Sequence, residues 1–254
     1  MIESSVRDLK WLISLSIWAL CSAGAAHSLA NGVARTPPMG WLNWARFTCE
    51  LDCARRPDEC VSERLFRQQA EQLVSAGFRD AGYQYVNIDD CWSELQRDSS
   101  SGRLQANGSR FPAGLGALAS FMHVRDLKLG LYGDCGLKTC AGYPAQLASH
   151  DFRSSGEQNH FELDANSLAE WRVDSFKLDG CHVDPEAAER VCPQFSWSLL
   201  RAQQQSGRPV LLTCEWPLYM VYAQAQPDWP LASRACNMWR YYDDVEGKSA
   251  GPKV

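Results

Sequence analysis

From about residue 36 to residue 244 the chain alternates short apolar stretches with longer amphipathic ones, and this alternation limits the fold more than any other feature of the sequence. "TPPMGWLNW" is followed by a helical pattern from about Ser62 to Ala76, then by the strand-like "YQYVNID" and a loop rich in Ser, Gly and Asn around residues 98 to 114. A helix near Leu115 to Arg125 leads to "LKLGLYGD", and a long loop leads to the helical "FELDANSLAEWR" and to "VDSFKLDG". A helix over 186 to 206, the strand "PVLLTCE", a weakly defined helical region near 219 to 232 and the stretch "ACNMWRYYDD" complete the series. Strands separated by helices imply right-handed crossovers and a parallel sheet. No internal repeat and no low-complexity linker interrupts the body.

Two architectures satisfy that pattern. A doubly wound nucleotide-binding sheet advertises a glycine-rich phosphate loop after its first strand, and neither G-x-G-x-x-G nor G-x-x-x-x-G-K-[ST] occurs here in such a context. A (β/α)8-type barrel fits better, in an incomplete form with about six β/α units. Polar or aromatic residues sit at the C-terminal end of nearly every strand: Trp44, Asp89 and Asp90, Tyr132 and Asp134, Asp179, Glu215, Asp244. In a barrel those ends converge on one rim, where the site is expected.

Within "VDSFKLDGCHVD" two charges interrupt a stretch that otherwise reads as a buried strand. Side chains on a strand alternate faces, so Phe176 and Leu178 point one way and Lys177 and Asp179 the other. On an open sheet that face would be solvated, and an exposed ion pair there contributes less than about 1 kcal/mol. On a barrel strand it lines a pocket. Carboxylates crowded on one mouth repel each other unless cations, ligands or protonation offset the charge. Here Lys177 and Arg240 are interleaved with the acids, and Trp41, Trp44, Trp92, Trp216 and Trp239 accompany them. A hard metal wants clustered oxygen ligands alone; acids, bases and tryptophan faces together suit a sugar, and no metal or cofactor is expected. Taken singly, each of these tryptophans is a core residue more readily than a platform. A glycosidase needs one ionised carboxylate and one proton donor. Asp179, with Lys177 two residues away on the same face, suits the ionised role. Arg240, Tyr242 and Asp244 share strand parity, which places Asp244 at a strand end as the candidate donor.

The chain has 254 residues, 45% of them hydrophobic and 22% charged, which allows a sizeable core. A formal net charge of -5 and the lack of a basic stripe argue against nucleic acid as a partner. The first 30 residues resemble a secretory leader: Arg7 and Lys10 precede an apolar run from Trp11 to about Ala26, and cleavage is expected between about Ala25 and Ala30. Glu3 and Asp8 are atypical of such a leader and leave a signal anchor open. Eleven cysteines point to an oxidising compartment. The trio Cys49, Cys53 and Cys60 suggests a stapled loop, with zinc as the rival reading. "NGS" at Asn107 is a glycosylation sequon expected on an exposed loop.

"RTPPMGWLNW", "NIDDCW", "LGLYGD", "KTCAGYP", "FKLDGC", "CEWPLY" and "CNMWR" occur in the order found in family 27 of the glycoside hydrolases, the lysosomal α-galactosidases and α-N-acetylgalactosaminidases, and over about residues 31 to 245 the chain resembles that family. The resemblance implies a retaining hydrolase on a (β/α)8 barrel, lysosomal or secreted, dimeric in its full-length form and acting on terminal α-galactosides of glycolipids, glycoproteins or oligosaccharides. It implies Asp179 as nucleophile and Asp244 as acid/base. Trp44, Asp89, Asp90, Tyr132, Lys177, Glu215, Leu218, Tyr219 and Arg240 are implied as sugar-binding residues. Glu215 and Leu218 correspond to the galactose type; the acetamido-sugar enzymes carry Ser and Ala there. Disulfides implied by resemblance are Cys49–Cys91, Cys53–Cys60, Cys140–Cys181 and Cys214–Cys236, which leaves Cys135 and Cys192 over.

The resemblance implies further strands and a β-domain after the acid/base, whereas "EGKSAGPKV" departs from the family pattern. Residues 1–30 are thus read as a leader, 31–245 as a partial barrel and 246–254 as a divergent tail, with the C-terminal β-domain absent. Beside the α-galactosidase, two alternatives stand: a catalytically inactive secreted remnant that at most binds glycans or a partner, and an α-N-acetylgalactosaminidase.

Overall fold

A computed structural model describes residues 29–148 and 159–245. The leader, apart from residues 29 and 30, and the tail 246–254 lie outside the described residues.

Six strands form one sheet: β1 (Met39–Leu42), β2 (Tyr83–Asn87), β3 (Lys128–Asp134), β4 (Ser175–Asp179), β5 (Leu211–Cys214) and β6 (Met238–Trp239). They lie side by side in chain order, and each pairs in parallel with the next. The helices are α1 (Trp44–Phe47), α2 (Glu63–Ser75), α3 (Gly114–His123), α4 (Phe161–Glu170), α5 (Pro185–Ser206), α6 (Trp216–Tyr222) and α7 (Trp229–Ala235). The result is an open half-barrel, a partial (β/α)-barrel with helices on its outer side.

The helices form where the apolar spacing allows them a single buried face. In α3 the buried residues are Leu115, Leu118, Ala119 and Met122, spaced i, i+3, i+4 and i+7. Helix α5 buries Ala188, Val191, Cys192, Phe195 and Leu199 on the same principle, although Pro193 interrupts it and removes one backbone donor. Strand parity decides the rest. Phe176 and Leu178 of β4 are buried, and the Phe176 ring packs on Phe195 with centroids 5.1 Å apart. That outward apolar layer leaves Lys177 and Asp179 facing inward. Strand β1 lies so close to β2 that a Cβ on Gly40 would sit 2.5 Å from the Tyr85 carbonyl oxygen, so only glycine fits.

Five disulfides hold the loops: Cys49–Cys91, Cys53–Cys60, Cys135–Cys192, Cys140–Cys181 and Cys214–Cys236. Four are the pairs that the resemblance implies. The fifth joins the two cysteines left over, tying the loop after β3 to α5. The stapled trio divides: Cys53 closes on Cys60, while Cys49 reaches across to the loop after β2.

The sequence pattern and the structure part company at both ends of the sheet. Trp44 opens the short helix α1 rather than ending a strand. The region 219 to 232 is two helices, each starting "WP", and the Asp228 carboxylate caps the second by accepting from the Leu231 N–H at 2.8 Å. "ACNMWRYYDD" contributes only Met238 and Trp239 as strand. The Arg240 N–H still donates to the Cys214 carbonyl at 2.9 Å, but residues 241–245 leave the sheet, so the strand parity expected for Arg240, Tyr242 and Asp244 is not realised.

Candidate active site

At the C-terminal ends of β2 to β5 the strands deliver Asp89, Asp90, Tyr132, Asp134, Lys177, Asp179 and Glu215 to one region. In the β3–β4 register Tyr132 lies opposite Lys177 and Asp134 opposite Asp179, so these four inward side chains form a square.

Asp179 is 4% exposed and fully occupied by donors. Its Oδ1 accepts from the Tyr219 hydroxyl at 2.7 Å and the Gly180 N–H at 2.9 Å; its Oδ2 accepts from the Tyr132 hydroxyl at 2.9 Å. The Cys140–Cys181 disulfide lies beneath, with the Cys140 sulfur 3.2 Å from Oδ2. Burial pushes both phenols well above their ordinary range, and the negative charge of Asp179 pushes them further, so both remain donors at any ordinary pH.

Lys177 makes its ion pairs with other carboxylates than Asp179. Its ammonium lies 3.0 Å from Asp89 Oδ2 and 3.5 Å from Glu215 Oε1, and it sits over the Tyr132 ring. Burial works against the lysine's charge, but Asp89, Glu215 and Asp179 together outweigh it and hold Lys177 above its ordinary range. Arg240 reaches the other oxygen of Glu215 at 2.9 Å, and its second terminal nitrogen pairs with Asp244 at 2.9 Å. The chain of charges therefore runs Asp89, Lys177, Glu215, Arg240, Asp244. Asp244, with 45% of its side chain exposed, is its outermost member.

Asp90 accepts from the Cys91 N–H at 2.7 Å and the Ala141 N–H at 2.8 Å, and burial pushes its carboxyl up. Cys91 has a positive φ of 71°, a strained conformation for a residue that is not glycine. Its carbonyl is held by the Arg110 guanidinium at 2.7 Å. The other wall is Asn43, fully buried, whose Oδ1 accepts from the Asp89 N–H at 2.7 Å.

A trough of about 520 Å³ runs along the inner face of the sheet. Trp41, Trp44, Lys177, Glu215, Trp239, Arg240 and Asp244 line it, whereas Asp89, Asp90, Tyr132, Asp179 and Tyr219 do not. The tryptophans thus divide. Trp92 and Trp216 are core residues at 3% and 1% exposure, and the Trp92 indole N–H donates to the Tyr132 carbonyl at 2.9 Å. Leu218 is buried on α6 one turn before Tyr222, and Tyr219 beside it turns to Asp179. Asn107 lies in a half-buried turn away from this region, its amide donating to Glu94 at 3.1 Å.

Three residues of this region had no assigned role in the sequence reading. Asn43 and Arg110 act on backbone groups of distant segments, which no spacing reveals. Asp134 had a signal, since it shares inward parity with Tyr132. Asp134 and Asp179 come within ligand reach of Cys140 and Cys181. The two sulfurs are bonded to each other, so this group offers no thiolate to a metal.

The fold is that of a glycosidase-type barrel, and solved structures align with it. An α-galactosidase from Saccharomyces cerevisiae in complex with raffinose matches at 32% identity and TM-score 0.63, over 85% of this chain and 41% of that one. α-Galactosidase I from Mortierella vinacea matches at 29% identity and TM-score 0.63, over 83% and 46%. Residues 36–251 match the family model described as alpha galactosidase A (Melibiase_2), and the chain belongs to that family of α-galactosidases within glycoside hydrolase family 27. Human alpha-galactosidase A is 46% identical over 87% of this chain and 48% of its own length. Chicken alpha-N-acetylgalactosaminidase is 43% identical over 86% and 50%. The chain spans about half the length of the curated relatives it matches.

Proposed function

We propose that this chain carries the sugar-binding and nucleophile half of a retaining α-galactosidase. Asp179 is the nucleophile, Asp244 the acid/base, and Asp89, Asp90, Lys177, Glu215 and Arg240 bind the hydroxyls of a terminal α-galactose, with Trp44 as a wall. The observation that carries this reading is the setting of Asp179. A carboxylate held on both oxygens by hydroxyls from two other elements and by the next peptide N–H is fixed in orientation, as attack on an anomeric carbon requires. Tyr132 and Tyr219 direct it, and the Lys177–Glu215–Arg240 chain supplies the fixed charge against which an oxocarbenium-like transition state forms.

Glu215 favours galactose over its 2-acetamido analogue, because a buried carboxylate braced by two cations leaves little room for an acetamido group. The substrates are terminal α-galactosides of glycolipids, glycoproteins or oligosaccharides. Five disulfides fit passage through the secretory pathway to the lysosome or the exterior, with a glycan at Asn107 and a dimeric full-length form.

One observation favours a second reading, in which the chain binds sugar without cutting it. Asp244 stands on a segment that has left the sheet, half exposed and already paired with Arg240. Hydrolysis of an aryl α-galactoside and of the matching α-N-acetylgalactosaminide separates the readings. Turnover of the galactoside that is lost in Asp179→Asn supports the hydrolase; galactose binding without turnover supports the binder; preference for the acetamido substrate overturns the specificity.

A further inference from the structure

Asp134 is a buried acid with no cation. It is fully buried, and no ion pair involves it among the described residues. Such a group needs a reason for its burial. Its two oxygens accept from the Gly136 N–H at 2.7 Å and the Cys181 N–H at 2.8 Å. The first belongs to the loop that leaves β3, the second to the turn that leaves β4. Between them, the Cys135 N–H donates to the Asp179 carbonyl at 3.0 Å. Asp134 is therefore the side-chain bridge that closes the ends of the two strands together. What it closes over is the Gly180 peptide, whose N–H holds Asp179 Oδ1 at 2.9 Å.

The groups that face Asp134 are few. Asp179 stands directly opposite on β4, Asp90 comes from the loop after β2, Tyr132 shares its strand and Tyr219 reaches in from α6. Lys177, the nearest cation on the same face, is committed to Asp89 and Glu215. Two carboxyls facing each other in a dry site do not both ionise readily, so one keeps its proton.

We propose that Asp134 is the positioning residue of this site: by holding the Gly136 and Cys181 N–H groups, one from each strand end, it fixes the turn that aims Asp179 opposite it. Burial first, and the charge of Asp179 second, push Asp134 up to about 8 against the pull of its two N–H donors. Below that value Asp134 keeps its proton and adds no charge beside Asp179; above it Asp134 ionises. Asp134 touches no sugar in this scheme and acts only through Asp179. The inference rests on the reading of Asp179 as nucleophile, but its first test needs no catalysis.

That test follows the carboxyl carbon resonance of Asp134 against pH in the whole chain, assigned through its own side-chain protons and checked by its loss in Asp134→Asn. An inflection near pH 8 is expected. An inflection in the ordinary carboxylate range near about 4 overturns the proton assignment. If Asp134→Asn does not fold, the curve of the unsubstituted chain decides alone. The second test measures labelling of Asp179 by an α-galactose-configured epoxide, whose ring the carboxylate opens to form an ester. Asp134→Asn keeps the shape but turns an acceptor into a donor facing a backbone N–H, so labelling should slow by about 10- to 100-fold, the scale of a small misplacement of a reacting group. Equal labelling rates in a folded Asp134→Asn overturn the positioning role. No labelling of the unsubstituted chain counts against the nucleophile reading alone, since the titration still tests Asp134.

Discussion

Replacing Lys177 by methionine keeps the length and apolar body of the side chain and removes only the ammonium, so the consequences can be worked out contact by contact. Glu215 loses a 3.5 Å neighbour but keeps Arg240 at 2.9 Å on its other oxygen. Asp89 loses far more: its side chain is 2% exposed, and Lys177 is its only ion-pair partner among the described residues. What remains is the Asp90 N–H on Oδ1 at 2.8 Å. Breaking a buried pair from one side costs about 3–5 kcal/mol, because the remaining charge is left in a dry site. For a body of this size that corresponds to a fall in Tm of roughly 6–20 °C. The pH dependence fixes the cause. In the unsubstituted chain the raised Lys177 contributes stability that is fully present below its unfolded value near about 10.4 and is lost only as pH rises through the folded value. Lys177 itself therefore stays charged between pH 4 and 8. Burial already pushes Asp89 up against the pull of Lys177; in the variant that pull is gone, so the added penalty is present at neutral pH and disappears as pH falls towards the unfolded value near about 3.9. Thermal melts of both proteins at pH 7.5 and pH 4.5 should therefore show a wide gap that narrows in acid. A gap under about 2 °C at pH 7.5, or one of equal width at both pH values, would refute the view that Lys177 offsets a buried carboxylate.

Tyr219→Phe removes the 2.7 Å donor on Asp179 Oδ1 and leaves the ring in place. A hydrogen bond to a charged group contributes about 1.5–3 kcal/mol, so turnover of an aryl α-galactoside, or epoxide labelling of Asp179, should fall by about 10- to 150-fold with a small change in Tm; an unchanged rate refutes the role. If Glu215 and Leu218 set the proposed sugar specificity, Glu215→Ser with Leu218→Ala, which removes a braced carboxylate and a buried isobutyl group, should raise the ratio of α-galactosaminide to α-galactoside activity, as competition between the two aryl glycosides will show. Gly136→Ala would place a Cβ 2.4 Å from the His182 backbone carbon and oxygen, which cannot yield as a side-chain tip can. Overpacking of this kind costs about 1–3 kcal/mol and should appear as a lower denaturation midpoint with unchanged m-value, whereas equal midpoints would mean that the loop after β3 shifts freely.

The middle of the sheet was legible because its strands obey one rule from end to end. In β3 and β4 every second residue is apolar and turned to the helices, and the residues between are the ones that meet inside. The edge strand broke the rule. After Trp239 the sequence Arg240, Tyr241, Tyr242, Asp243, Asp244 is polar or amphipathic on both parities, so neither face has a core to bury, and Tyr241 and Tyr242 are 79% and 77% exposed. Alternation without an apolar face does not specify a strand. Two of the tryptophans are core residues, as each taken singly was expected to be: Trp216 begins a helix, and Trp92 follows Cys91, whose positive φ turns the chain.

Charge was read along the chain, but it acts across it. Lys177 and Asp179 are two positions apart, yet neighbouring inward side chains of one strand stand side by side, while a lysine long enough to cross the barrel reaches the ends of other strands. Its partners lie 88 residues before it and on β5's far end, and only the register of β2 to β5 brings them together. The same register sets Asp134 against Asp179. A sequence pattern shows which residues face inward, but the pairing of those residues depends on how strands slide against one another, and here that sliding is fixed by the glycine at position 40, the disulfides and the carboxylate of Asp134 itself. The site is therefore readable as a set of residues and becomes readable as a circuit only once the register is known: Lys177 lies between Asp89 and Glu215, the two tyrosines orient Asp179, and Asp134 closes the two strand ends beside it.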